Sequence, residues 1–157
     1  MTLPTSFLDE WAKRSVATAS GMHDGLQQLC ESPIEAIFAT AFCLAANEYG
    51  AVHVGPPAPG RGLFSIQCQA PVLSYRADFL ICENRDPPSY IVVECDGHDF
   101  HERTKEQAER DRRRDREMQS AGFRVFRFTG REIYRDAFKC ADEVIREAIL
   151  TAGRGAL

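Results

Sequence analysis

Between Ser32 and Ala46 apolar side chains return at three- and four-residue intervals: Ile34, Ile37, Phe38, Ala41, Phe42 and Ala45. That spacing predicts a helix with one buried face. Ser32-Pro33-Ile34-Glu35 supplies its start, with Ser at the N-cap, Pro at the first helical position and Glu at N3. Asn47 to Gly50 supplies its stop. Upstream, Thr5 to Ser20 predicts a first helix with Phe7, Leu8, Trp11 and Val16 as a partial apolar face, interrupted by Gly21 to Gly25. Val54 to Gly62, with three prolines and three glycines, reads as a loop or hairpin tip. Phe64 to Val72 and Tyr75 to Cys82 predict adjacent antiparallel strands, and Asn84 to Ser89 a turn. Ile91 to Cys95, apolar but for Glu94, suits a central strand covered on both faces. Glu102 to Ala121 predicts a long charged helix that Gly122 ends. Phe123 to Phe128 alternates as a half-buried strand. A last helix is expected over Tyr134 to Leu150, with a frayed tail over 151–157.

The order of elements contains no repeat and no low-complexity tract, so one α/β domain over residues 1–157 accounts for it. At 157 residues the chain is long enough for a real core. Apolar residues at 44% and charged residues at 27% are those of a globular protein. No apolar run reaches the length of a membrane span and the N-terminus lacks a secretory pattern, so no membrane association and a cytoplasmic location are expected. Six cysteines (Cys30, Cys43, Cys68, Cys82, Cys95, Cys140) include no C-x-x-C pair and sit mostly in apolar segments. They are expected as reduced core residues. The net charge of −4 argues against a general coat of nucleic-acid-binding charge. Positive charge is nonetheless concentrated in Arg103 to Arg116, which holds seven Lys or Arg against four Asp or Glu.

Candidate chemistry lies at the strand ends. Asp78 sits in Y-R-A-D-F-L-I, and Glu94 and Asp96 close I-V-V-E-C-D-G-H. A carboxylate at the mouth of a buried strand is costly unless a cation offsets it, and hard oxygen donors suit Mg²⁺ or Mn²⁺. Strand alternation sets Asp78 on the face opposite Tyr75 and Phe79. The plainer reading of Asp78 is a solvated carboxylate paired with Arg76; that of Glu94 is a structural ion pair. Glu35 fits a capping box for backbone reasons alone, although the first turn of a helix also lets it reach a cation from the side. His98 and His101 lack the second pair of ligands that a zinc site requires; phosphate contact, proton transfer or water orientation suits them better. The helix after them carries i,i+4 pairs such as Glu106 with Arg110 and Glu109 with Arg113, while Lys105 and Gln107 in its first turn can point back toward a bound phosphate.

Taken together, Asp78, Glu94-Cys95-Asp96-Gly97, His98, His101, Asp111 to Asp115 and Gly122-Phe123-Arg124-Val125-Phe126-Arg127-Phe128, with Glu35 upstream, resemble the PD-(D/E)XK nucleases. The closer likeness is to a branch related to very-short-patch repair endonucleases, and it runs from about Glu31 to Val144. The resemblance implies a restriction-endonuclease-like αβββαβ core with a mixed central sheet flanked by helices. It implies a metal-dependent DNA endonuclease with Mg²⁺ or Mn²⁺ as cofactor, DNA as partner, and a homodimer or partner protein where paired cuts are made. By position, Asp78 and Glu94 become the principal metal ligands, Glu35 completes the site, and the Cys95 carbonyl adds a further oxygen. The departure is Asp96, which stands where the superfamily has a lysine. An aspartate does not stabilise developing negative charge as lysine does; Lys105, His98, His101 or a second metal held by Asp96 are the substitutes available. A nuclease fold that binds nucleic acid or a protein without cutting is the alternative.

Overall fold

The computed structural model describes residues 5–97 and 105–152. Its elements are α1 (Thr5–Gln27), α2 (Pro33–Ala46), β1 (Val52–Val54), β2 (Phe64–Val72), β3 (Tyr75–Glu83), β4 (Ser89–Asp96), α3 (Lys105–Ser120), β5 (Arg124–Thr129) and α4 (Gly130–Ala152). The five strands form one mixed sheet in the order β1-β2-β3-β4-β5. β2, β3 and β4 run antiparallel in turn, while β1 joins β2 and β5 joins β4 in parallel. The expected αβββαβ core is therefore present, with β4 interior and Ile91 to Cys95 buried throughout.

Local chemistry explains most of the boundaries. Ser32 is extended (φ −140°, ψ 156°) and its hydroxyl accepts from the Glu35 amide, so α2 begins as its sequence dictates. Gly122 lies at φ +87°, and the Phe123 and Gly122 amides donate back to the carbonyls of Met118 and Gln119, a Schellman stop for α3. The first helix differs from expectation. It runs through Gly21 and Gly25 because Leu26 is buried and His23 Nδ1 lies 3.0 Å from Thr40 Oγ1 on α2. A helical glycine costs only about 1 kcal/mol, which such packing offsets. Val16 is 69% exposed rather than part of an apolar face; the side chains of Phe7, Leu8 and Trp11 lie outside the described residues.

Two further elements depart from the sequence reading. β1 includes Val54, which was expected in a loop, because Gly62 brings the chain back against Ala51. A Cβ on Gly62 would meet the Ala51 oxygen at 2.4 Å, and Leu63 N donates to that same oxygen at 2.8 Å. α4 begins four residues before Tyr134, on a capping box in which Thr129 N and Oγ1 both donate to Glu132 at 2.8 Å. Helical geometry then breaks at Asp136 (φ −164°, ψ 83°), whose carboxylate accepts from Lys139 N and restarts the helix. Of the expected tail, Thr151 and Ala152 are helical, and 153–157 lie outside the described residues.

The sheet separates two cores of unequal kind. On one face Phe38 of α2 is fully buried with its ring 5.4 Å from Phe79 and 5.8 Å from Phe128, and α4 adds Ile133, Val144 and Ile145. Burying each such aromatic stabilises the fold by about 1.5–3 kcal/mol. On the other face Ala70, Val72, Ala77, Leu80 and Val92 gather with Met118, the single fully buried side chain among the described residues of α3. All six cysteines are free thiols, four of them buried, as expected.

Candidate functional site

The site forms where β3 and β4 separate. Their ladder runs from Glu83 and Ser89 to Phe79 and Val93 and stops there; Asp78 and Glu94 are the next residues on each strand. β4 carries on alone with β5, setting Glu94 beside Arg127 and Asp96 beside Thr129. The Cys95 amide, freed from β3, donates instead to Asp78 Oδ2 at 2.7 Å. Asp78 is thus half-buried and bound to backbone. Its supposed partner Arg76 pairs with Glu31 at 2.7 Å.

Opposite Asp78, Gln69 interrupts the β2–β3 ladder with φ +49°, a conformation that a side-chain-bearing residue adopts at some cost. The chain bends there. Ala77 and Phe79, two apart on one strand, consequently pack into different cores. The same bend carries Tyr75 to the α3 side while Phe79 stays on the other, so the expectation that these two aromatics share one face is corrected. Gln69 Nε2 then reaches Glu35 Oε2 at 2.8 Å.

Glu35 is 6% exposed and fully engaged. Oε1 accepts from Ser32 Oγ at 2.6 Å, and Oε2 accepts from Glu31 N at 2.9 Å as well as from Gln69. The capping role is therefore real. The carboxylate still acts on its neighbours, since its repulsion helps push up the carboxyl of Asp78.

Glu94, also 6% exposed, meets a guanidinium. Arg114 Nη2 donates to Glu94 Oε1 and, at 3.0 Å, to the Arg76 carbonyl, with the guanidinium carbon 5.5 Å from the centre of the Tyr75 ring. The next residue, Asp115, takes Arg127 through two bonds of 2.8 and 3.3 Å. Arg127 Nη1 also lies 3.8 Å from Asp96 Oδ1. Adjacent residues of α3 thereby engage Glu94 and Arg127, which are neighbours across the sheet.

Burial governs the electrostatics. It pushes the Glu94 carboxyl up to about 7, against the pull of Arg114 and Arg127 and with the help of Asp78 and Asp96. Asp78 is also raised, by burial first, with Glu35 and Asp96 adding repulsion and the Cys95 amide and Arg114 opposing. Asp78 and Glu94 are each repelled by other carboxylates, which is the signature of a crowded anionic site. The oxygens suit a hard dication in kind, and its charge would relieve the burial cost of Asp78 and Glu94. Their present hydrogen bonds point elsewhere: among the described residues no three His, Cys, Asp or Glu side chains converge as a ready-made metal cage.

The expected site residues thus fall into two groups. Asp78, Glu94, Cys95 and Asp96 come together where the strands part, with Glu35 alongside. His98 and His101 lie outside the described residues, and Lys105 opens α3 with its side chain outside them as well. Arg114, Asp115 and Arg127 entered the sequence reading only within the charged run and the motifs that carry the resemblance, with no role given to them, and Gln69 escaped it. A signal existed for two of them: Met118 is the one large apolar residue of its helix, and Arg114 and Asp115 lie four and three residues before it, on the same face. Further along that helix, Arg113 pairs with Glu117 at 2.8 Å.

A mixed five-stranded sheet with helices on both faces and acidic residues where two strands diverge defines a restriction-endonuclease-like α/β protein. The chain belongs to the family described as REase_MTES_1575, whose model matches residues 60–148, more than half of the sequence. That family is restriction-endonuclease-like, which makes the protein one of nuclease type. The match takes in Asp78, Glu94, Asp96, Arg114 and Arg127 and leaves out Glu35. No curated protein and no solved structure matches the chain. Among the described residues, no helix is long and apolar enough to cross a membrane.

Proposed function

We propose that this protein is a DNA endonuclease that hydrolyses phosphodiester bonds with the aid of Mg²⁺ or Mn²⁺, acting in the cytoplasm. The observation that carries the reading is the placement of Asp78 and Glu94 side by side at the point where β3 leaves β4, both carboxyls raised first by burial and further by repulsion from neighbouring carboxylates. When bound, Mg²⁺ or Mn²⁺ would supply positive charge to a phosphate oxygen and ease the loss of a proton from the water that attacks phosphorus. Asp78 and Glu94 would hold that ion, with the Cys95 carbonyl beside them and Glu35 adding negative potential. Asp78 is kept in place by the Cys95 amide and Glu35 by its cap, so neither has to be ordered when substrate arrives. Arg110, Arg112 and Arg116 stand exposed along α3 and give the phosphate backbone a basic approach.

A second reading has its own observation. Asp96 occupies the superfamily's lysine position and faces Arg127, so the site lacks a basic group there, and a nuclease fold that binds DNA or a protein without cutting fits that feature. Purified protein incubated with linear, supercoiled and single-stranded DNA plus Mg²⁺ or Mn²⁺, beside Glu94→Ala, separates the two. Cleavage by wild type that needs the cation and disappears in the variant supports the nuclease. No cation-dependent cleavage of any substrate, or equal cleavage by the variant, defeats it, and DNA binding without cutting favours the second reading.

A further inference from the structure

Arg114 is placed where a structural ion pair has little reason to be. A side chain on the outer helix crosses to a carboxylate that is 6% exposed. Its Nε is buried without a hydrogen-bond partner among the described residues. A buried guanidinium with an unmet donor is costly, and the usual compensation, a second carboxylate in bidentate contact, is absent among the described residues; Asp115, one residue on, goes to Arg127. Its remaining contacts are the Arg76 carbonyl and the Tyr75 ring, and neither depends on Glu94. Tyr75 is itself anchored, its hydroxyl donating to Glu117 at 2.6 Å. The guanidinium therefore has a berth it keeps when Glu94 is taken from it.

We infer that Arg114 is the internal counter-cation of the candidate metal site: it neutralises Glu94 while the site holds no metal, and a divalent cation must displace it to bind. This rests on the metal-dependent reading above. Asp78, Glu94 and Asp96, with Glu35 alongside, carry four negative charges when ionised, and Arg114 supplies one positive charge, bonded to Glu94, while Arg127 is shared with Asp115. A single guanidinium leaves that cluster under-neutralised, which favours an incoming dication. The bond it must break holds affinity down. Arg114 is in this sense a positioning residue, setting the cation concentration at which the site fills and freeing its own charge when it does.

The test is the affinity of the full chain for Mn²⁺ and Mg²⁺ by calorimetry, without DNA, for wild type, Arg114→Gln and Arg113→Gln. Arg113 is on the same helix, is exposed and pairs with Glu117, so its variant removes the same charge from the same element without touching Glu94. Arg114→Gln should bind the cation more tightly, on the order of tenfold, because a charge-assisted bond no longer has to be broken. Arg113→Gln should stay within about twofold of wild type. Should Arg114→Gln not fold, ¹⁵N-labelled wild type gives a second readout: the Arg114 Nε–H resonance should shift saturably with Mg²⁺. Wild type that binds while Arg114→Gln binds equally or more weakly overturns this inference alone. Equal tightening in Arg113→Gln also overturns it, as does an Arg114 resonance that ignores Mg²⁺ bound elsewhere in the protein. No cation binding by any form overturns both this inference and the metal-dependent reading.

Discussion

Raising the pH from about 5 to about 8 in the presence of a chelator should weaken the fold, with Glu94 as the main cause. An ordinary glutamate titrates near 4.5, whereas burial lifts Glu94 to about 7. Between those values the native state holds a proton that the unfolded chain has lost, and stability falls as pH rises wherever the native state binds more protons. The stabilisation is complete below about 4.5 and is lost as pH climbs through about 7. Its size is about 3 kcal/mol at most, the free-energy equivalent of that gap. Asp78, shifted in the same direction, contributes with the same sign above its ordinary value. Glu117 and Glu132 are shifted down by their hydrogen bonds, so what they contribute is lost only below the ordinary glutamate range. Urea unfolding at intervals of half a pH unit reads the effect directly, with the midpoint falling by about 1–2 M across the range. Glu94→Gln keeps the shape without the charge and should flatten the profile, matching wild type near pH 5 and exceeding it near pH 8. Stability that is level or rising with pH, or a variant as steep as wild type, would refute the reasoning.

Other perturbations probe neighbouring parts of the structure. Saturating Mg²⁺ or Mn²⁺ should reverse the loss above pH 7, since a dication binds the ionised carboxylates; a midpoint unchanged by either ion speaks against the metal reading. Ser32→Ala removes the α2 cap together with one of the bonds that hold Glu35 and should cost about 1–2 kcal/mol by urea unfolding. Phe38→Ala, at the centre of the aromatic core, should cost about 3–5 kcal/mol, enough to abolish cooperative unfolding in a marginal background. Arg127→Met and Asp115→Asn should be non-additive by about 0.5–3 kcal/mol in a double-mutant cycle; strict additivity would mean their two hydrogen bonds contribute nothing to stability.

Legibility in the sequence followed the range of the interactions. The α2 cap, the Gly122 stop and the buried β4 strand depend on a few adjacent residues, and each formed where its pattern lay. Glu94 drew notice because an acidic residue within an apolar strand has few explanations, whereas the Asp78 strand alone suggested a solvated pair with Arg76, which instead pairs with Glu31. The rest depended on distant packing. Gly21 and Gly25 should weaken a helix, yet Leu26 and His23 hold that helix against α2. β1 follows from the close approach of Gly62 to Ala51, and nothing in V-H-V announces it. The bend at Gln69 is equally silent, since glutamine is an ordinary strand residue, and it alone misplaced Tyr75. Arg114 and Asp115 were obscured by their company in R-D-R-R-R-D-R, where only the spacing to Met118 marks which charges turn inward.

The two faces of the sheet are fastened by different forces. α2 and α4 are joined to it through interlocked aromatic and branched side chains, whereas α3, over its described residues, is held by one buried methionine and by polar contacts: ion pairs at Glu94 and Arg127, and hydrogen bonds to Tyr75 and the Arg76 carbonyl. Dissolved ions screen the partly open Asp115–Arg127 pair more than the buried Arg114–Glu94 pair. The helix with the densest run of basic residues is thus one whose hold on the protein depends in large part on charge. A polyanion draws on the same arginine-rich segment, so its arrival is an electrostatic event for the scaffold as well as for the surface. The molecule has a firm half and a tunable half, and the acidic cluster lies on the seam between them.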